Sequence, residues 1–310
     1  TKSKNHLIGS FNGLDIAASL RIQYPSIPLF LFSYSSLAKL KPIQEDIADA
    51  VFDEILYKDD YSNSTPSLRD YLKKIIRGYS IIERSNICEK NETQNRKEIL
   101  HKLLSAPQNS YDDIDSIFAE LDVVDSAECS SFDISSLTRK KLMREPGILY
   151  DILHAATFLG ISEKAFKSIT DFFKAAEYQG IFSDENQYWW KSELKDLADS
   201  IMEGNELRIP YSHGFHIAWN RKYGTQLDLA QCYVSGNSPA ECVCCILNKP
   251  SMIRYTFSYP DIEYKLPVFD EKRVCFKAIL ENKFNRLALD KDSLKIFEQY
   301  VKELEENAKK

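Results

Sequence analysis

The apolar positions of the chain fall into short sets with different spacings. Leu14, Ala17, Ala18 and Arg21 recur at helical intervals, and the run closes at Tyr24-Pro25, because proline disfavours helix in the residue before it. Ile27 to Phe32 is almost wholly apolar, as expected of a parallel strand covered on both faces, and Leu56-Tyr57 reads as a second short strand. Strand and helix alternate, which predicts a local α/β class. Thr65-Pro66 carries the signature of a helix start, and Leu68, Leu72, Ile75, Ile76, Tyr79 and Ile82 form one stripe after it.

Asn86 to Asn95 is polar and breaks the pattern, which predicts a linker; Arg96 to Leu104 then resumes as helix. Tyr111 to Asp125 is acidic. Its carboxylates could be assembled into a metal cage, but Ile114, Ile117, Phe118 and Leu121 supply a buried side, so a solvated helix face is favoured. Ser126 to Ser136 is Ser-rich and reads as a loop. Three helices are predicted next: Ile148 to Phe158, a second capped by Ser162 with Phe166, Ile169, Phe173 and Ala176 on one face, and a third with Trp190, Leu194, Leu197, Ala198 and Ile201. The tail reads as α+β, with strands at Gln226–Val234 and Met252–Tyr259 and helices at Ala240–Leu247, at Glu271 to about Glu281, and at Ser293–Glu306. The expected segments are 1–86, 87–145 (linker and helices), 146–205 (helical module) and 206–310 (α+β domain).

At 310 residues, 44% hydrophobic and 28% charged, the chain has the composition of a folded globular protein. No apolar run approaches the ~18–20 residues a bilayer span requires, and no secretory leader opens the sequence, so a cytoplasmic protein without a membrane partner is expected. The net charge of −6 argues against broad nucleic-acid binding, which rests on phosphate neutralisation. Seven cysteines, an odd number, point to free thiols in a reducing compartment.

Cysteines also give one candidate constellation. Cys242-Val243-Cys244-Cys245 contains a Cys-x-x-Cys pair, with Cys232 before it and Cys275 after it; His213 and His216 form a His-x-x-His upstream. Zinc through Cys232, Cys242, Cys245 and Cys275 is one reading. The second closely spaced pair is missing, however, and thiols packed on an amphipathic helix are favoured. The helix-turn-helix look of 148–182 makes Lys164, Lys167 and Lys174 candidate DNA contacts. The interleaved Glu163, Asp171 and Glu177, and the lack of Arg, Asn or Gln to read base edges, favour a packing module instead. Pro260-Asp261 followed by Glu263-Tyr264-Lys265 echoes a metal-dependent nuclease signature, compressed into what reads as a turn. Neither a Walker loop nor a Gly-rich dinucleotide motif is present.

Gly13-Leu14-Asp15-Ile16-Ala17-Ala18, Pro28-Leu29-Phe30-Leu31-Phe32-Ser33 and Ile55-Leu56-Tyr57-Lys58 together resemble the later two-thirds of a receiver domain, the phosphoacceptor domain of two-component response regulators. The resemblance implies an α/β receiver-like, flavodoxin-like domain that is N-terminally incomplete, its first strands preceding Thr1 of a trimmed chain. It places Asn5 where the family has its phosphorylatable Asp, Ser33 at the end of the fourth strand and Lys58 at the end of the fifth. An amide is no acyl-phosphate nucleophile, the acidic metal-binding pair falls before Thr1, and Tyr34 and Asp59 replace a small residue and a Pro. A degenerate receiver is therefore implied, one that docks a protein partner without cofactor or catalysis.

Residues from Pro146-Gly147-Ile148-Leu149 to Trp189-Trp190 resemble receiver-headed proteins of bacterial conflict systems. That likeness implies a histidine-kinase-like ATPase as partner and a role in defence. A DNA-binding response regulator and a metal-dependent nuclease are the alternatives.

Overall fold

The computed structural model describes residues 13–33, 50–57, 67–89, 93–120, 129–202, 210–232, 238, 242–245, 251–254, 258–260, 268–271 and 273–280, and positions 292, 294–295, 297–299 and 301–302. Over these residues the protein is mainly helical, with short strands that give it some α/β character. Internal packing groups the chain into two units: residues 1–106, 115–144 and 179–186 form the first, and 107–114, 145–178 and 187–310 the second.

In the first unit, helix α1 (Gly13–Gln23) buries Ala17 with Val51 and Phe52. Strands β1 (Phe30–Ser33) and β2 (Glu54–Tyr57) pair in parallel, with Phe30 opposite Glu54 and Ser33 opposite Tyr57. A parallel pair needs a crossover connection, and residues 50–51, just before β2, are helical. Helix α2 (Leu68–Arg84) starts at an N-cap two residues after the expected Thr65, which with Pro66 lies outside the described residues: the Ser67 hydroxyl accepts a bond from the Asp70 amide. Its buried side is Ile75, Gly78, Tyr79 and Ile82; of the predicted stripe, Leu68 and Leu72 are half-buried and Ile76 is exposed.

The predicted linker is partly structured. A 3₁₀ turn at Ile87–Glu89 precedes helix α3 (Thr93–Leu103), and helix α4 (Tyr111–Glu120) buries Ile114, Ile117 and Phe118. The Ser-rich stretch read as a loop contains helix α5 (Ser131–Ser136). Ser130 and Asp133 close a capping box there, satisfying the first amides of a helix otherwise too short to hold itself. α5 runs directly into a π-helical turn at Leu137–Leu142, in which the Met143 amide reaches back to the Thr138 carbonyl.

In the second unit the first predicted helix begins later than expected. Leu149 and Tyr150 form β3, which pairs antiparallel with β4 (Trp189–Trp190), and Asp151 caps helix α6 (Ile152–Leu159). α6 ends at Gly160, whose φ of +70° favours glycine; a Cβ there would lie 2.1 Å from the Ser212 carbonyl oxygen. Ser162 caps α7 (Glu163–Ser168) as expected, but the helix stops after six residues rather than running to Ala176. The Ser168 hydroxyl bonds the Ala165 carbonyl and Thr170 bonds that of Lys167, local partners that compete with the helical ladder. Phe166 and Phe173 are nevertheless both buried, packed on Trp189, Phe172 and Phe215, with α8 (Lys191–Met202) and α9 (Tyr211–Tyr223) completing this core.

The tail departs most from expectation. The stretch expected as a strand at 226–234 is irregular where described, apart from one bridge between Leu229 and Ile161. The helix expected at 240–247 is instead strand β5 (Cys242–Cys245), held antiparallel to β6 (Ser251–Arg254) and parallel to β8 (Arg273–Cys275). A run this short carries no reliable period, and pairing on both edges decides it. The long strand over 252–259 is two strands, β6 and β7 (Ser258–Pro260). The helix expected from 271 begins only at Phe276, as α10 (Phe276–Leu280), after β8.

Candidate functional site

Of the receiver-like positions, Asn5 and Lys58 lie outside the described residues, and Ser33 stands at the C-terminal end of β1 opposite Tyr57. Cys242 and Cys245 occupy the two ends of β5, whereas Cys232 and Cys275 are buried with Val274, Phe276, Ile279 and Phe297. Among the described residues no three His, Cys, Asp or Glu side chains gather as a metal site would require. His213 and His216 lie one turn apart on α9, and burial, together with His213, lowers the His216 pKa. Lys164 and Lys167 are exposed on α7 and Lys174 is exposed in a 3₁₀ turn, so no continuous helix carries all three. Pro260 ends β7, and 261–267 of the nuclease-like stretch lie outside the described residues.

What the structure gathers in the first unit is a buried polar network that no spacing rule announces. Asp53, 1% exposed at the entrance to β2, accepts four hydrogen bonds. Oδ2 receives Arg21 Nη2 at 2.8 Å and the Leu29 amide at 2.9 Å; Oδ1 receives the Tyr79 hydroxyl at 2.5 Å and the Ser135 hydroxyl at 3.3 Å. Arg21 also reaches the carbonyls of Val51 and Ile27, and its guanidinium lies 3.8 Å from the centre of the Phe132 ring. Burial and the neighbouring Asp53 push the Tyr79 phenol well above its ordinary pKa, so it serves as a donor at any physiological pH.

Arg139 forms the second half. Its guanidinium, also buried, makes a two-pronged contact with Glu185 at 2.8 and 3.2 Å, and bonds Glu54 at 2.9 Å, the Tyr71 hydroxyl at 2.9 Å and the Asp53 carbonyl at 3.0 Å. Arg144 holds the other Glu54 oxygen at 2.7 Å, and Lys140 bonds the Phe52 carbonyl. The π turn explains why successive residues can do this. In an α-helix, residues five apart sit about 140° around the axis from one another. A turn bonded five residues back brings them closer to one face, so Ser135, Arg139 and Lys140 all meet the start of β2. Chemically the network is saturated: Asp53 has no oxygen left for a phosphoryl group or a metal ion. Its work is to fix the strand pair to α1, α2 and α5.

The surface of the same unit is less usual. Ile16, Leu20 and Ile22 on α1, Tyr24 and Ile27 after it, and Phe32 on β1 are all exposed, Ile22 to 83%. Isolated exposed apolar side chains are ordinary, but six within seventeen consecutive residues concentrate apolar surface on one element pair. Elsewhere in the unit, a cavity of about 430 Å³ is lined by Ile81, Ile99, Leu103 and Ile181, among others.

The second unit brings together Asp151, His154 and Cys244. One Asp151 oxygen accepts both the His154 amide, at 2.8 Å, and His154 Nδ1, at 2.7 Å. The Cys244 sulfur lies 3.3 Å from the Thr157 hydroxyl and also interacts with the imidazole. Burial disfavours the charged ring, but the bonds with Asp151 and Cys244 outweigh it, and the His154 pKa is pushed up to about 10. The group joins α6 to β5. Because the folded-state value exceeds the ~6.5 of an unfolded histidine, its stabilising contribution is complete below pH ~6.5 and lost as pH rises through about 10. In denaturant titrations from pH 6 to 10.5, His154→Asn should therefore lie furthest below the native protein at the acid end and converge on it at the alkaline end. A gap independent of pH would show that the ring is neutral in the fold.

Close by, Asp270 accepts Tyr150 Oη at 2.5 Å and Lys191 Nζ at 2.6 Å, tying the β3–β4 pair to the segment before β8.

Comparisons with models of known protein families, with curated proteins and with solved structures found no match.

Proposed function

We propose that the protein is a signalling adaptor whose first unit is a flavodoxin-like, receiver-derived docking domain that cannot be phosphorylated. The observation that carries this reading is the exposed apolar surface of α1 and β1, formed by Ile16, Leu20, Ile22, Tyr24, Ile27 and Phe32. Apolar area kept in water on a saturated, internally cross-bonded scaffold gives a partner something to bury without rearranging the scaffold. The parallel β1–β2 pair with α1 packed beside it is compatible with the receiver likeness, and the closure of Asp53 by four donors accords with a domain that has no phosphoacceptor of its own. The sequence likeness to receiver-headed conflict proteins points to a histidine-kinase-like ATPase as the partner.

The test is co-purification of the full chain with such an ATPase from a co-expressing host, repeated with Ile22→Ser and Phe32→Ser together. Both side chains are already solvent-exposed, so the thermal midpoint should hold while affinity falls about tenfold or more, as for loss of central apolar anchors. Undiminished binding by the double variant would remove this surface from the interface. Incubation with acetyl phosphate should leave the protein mass unchanged; a phosphate adduct would overturn the degenerate-receiver reading.

A further inference from the structure

The first unit holds two thiols in direct contact. Cys88 lies in the 3₁₀ turn that follows α2, and Cys129 immediately precedes the capping box of α5; their sulfurs are 3.5 Å apart, and neither is in a disulfide. Cys88 is half-buried, so small oxidants reach the pair from one side, while Cys129 is buried at 9% exposure. Closing the gap to the ~2.05 Å of a disulfide requires a shift of only about 1.5 Å.

We propose that Cys88 and Cys129 form a reversible disulfide site that takes a small disulfide, of the glutathione type, as its oxidant. The two sulfurs are unequal. The hydrogen bond from Cys88 favours the Cys129 thiolate, burial opposes it, and the charge of Arg96 favours it again, so the Cys129 pKa is lowered and that of Cys88 is raised. One sulfur of the pair, as the thiolate, displaces one glutathione thiolate from oxidised glutathione and forms a mixed disulfide. The other then gives up its proton and attacks that sulfur, releasing the second glutathione thiolate. Two protein thiols are oxidised, one glutathione disulfide is reduced to two thiols, and the protein loses two hydrogen atoms.

The consequence is mechanical. The disulfide would tether the end of α2, whose Tyr79 holds Asp53, to the start of α5, whose Ser135 holds the same carboxylate. It would fasten the scaffold beneath the proposed docking surface, although the bond itself does not depend on docking.

Full-length protein would be equilibrated in glutathione buffers from fully reduced to fully oxidised, alkylated, digested and mapped by mass spectrometry without reduction. The expected product is a peptide pair cross-linked through Cys88 and Cys129, two hydrogens lighter than the separate peptides, and restored by dithiothreitol. In Cys129→Ser the resolving thiol is missing, and the half-buried Cys88 should instead accumulate a glutathione adduct; circular dichroism of that variant checks that it is folded. Persistent free thiols in the fully oxidised buffer, separate adducts on both residues of the native protein, or pairing of either with one of the other five cysteines would each overturn the proposal. The chemical readout stands whether or not a partner is ever captured.

Discussion

Asp53→Ala is expected to cost about 3–5 kcal/mol, because it strips the counter-charge from a buried arginine while leaving that arginine in place. Arg21 is 8% exposed, and its other hydrogen bonds go to the carbonyls of Val51, Pro25 and Ile27, which cannot neutralise it. The Tyr79 hydroxyl, the Ser135 hydroxyl and the Leu29 amide lose their acceptor in the same step. Urea unfolding followed by tryptophan fluorescence and by circular dichroism would measure the loss. All three tryptophans (Trp189, Trp190 and Trp219) belong to the second unit, so circular dichroism is the channel that should move first. A companion variant separates charge from packing: Arg21→Met combined with Asp53→Leu removes both charges and should recover much of the lost stability. If Asp53→Ala shifts the transition by less than about 1 kcal/mol, the pair is not sealed from water.

Gly78→Ala should also destabilise the first unit, against the helix-propensity trend. In a free helix this change gains up to about 1 kcal/mol. Here an added Cβ would stand 2.0 Å from the ring of Phe182, which is 2% exposed. The ring has little room to retreat. Phe182 is fixed in a left-handed conformation with φ of 64°, and the Arg139 guanidinium lies 5.7 Å from the ring centre. Overpacking of this kind costs about 1–3 kcal/mol, so a net loss is expected, with Gly78→Val worse. Thermal melts of the two variants decide the matter; a stabilised alanine variant would mean that the ring is free to swing away.

The sequence made the helical stripes legible and concealed the polar interior. The stripe of α2 follows its period because Ile75, Tyr79 and Ile82 face one core, and Ser162 announces α7 by its capping chemistry. The Cys-Val-Cys-Cys stretch reads as helix yet forms a strand, because four residues cannot display a period and their partners, β6 and β8, lie at different distances along the chain. The start of α5 had a usable signal, Ser130 three residues before Asp133, masked by the surrounding serines. The Asp53–Arg21 pair had none, since each residue taken alone looks like a solvated charge. Only the fold brings positions 21, 53, 79 and 135 together. The same holds for Cys88 and Cys129, which sequence spacing alone would leave unrelated.

The π turn at Leu137–Leu142 gives the chain a length-sensitive element. An insertion or deletion in an ordinary surface loop is absorbed by slack. Here removal of one residue between Thr138 and Met143 would return the turn to the four-residue ladder and rotate everything beyond it by about a quarter-turn or more relative to α5. Ser135 and Lys140 would then no longer address the same strand entrance. The residue count across this turn is therefore as much a requirement of the Asp53–Arg139 network as the identity of any side chain within it.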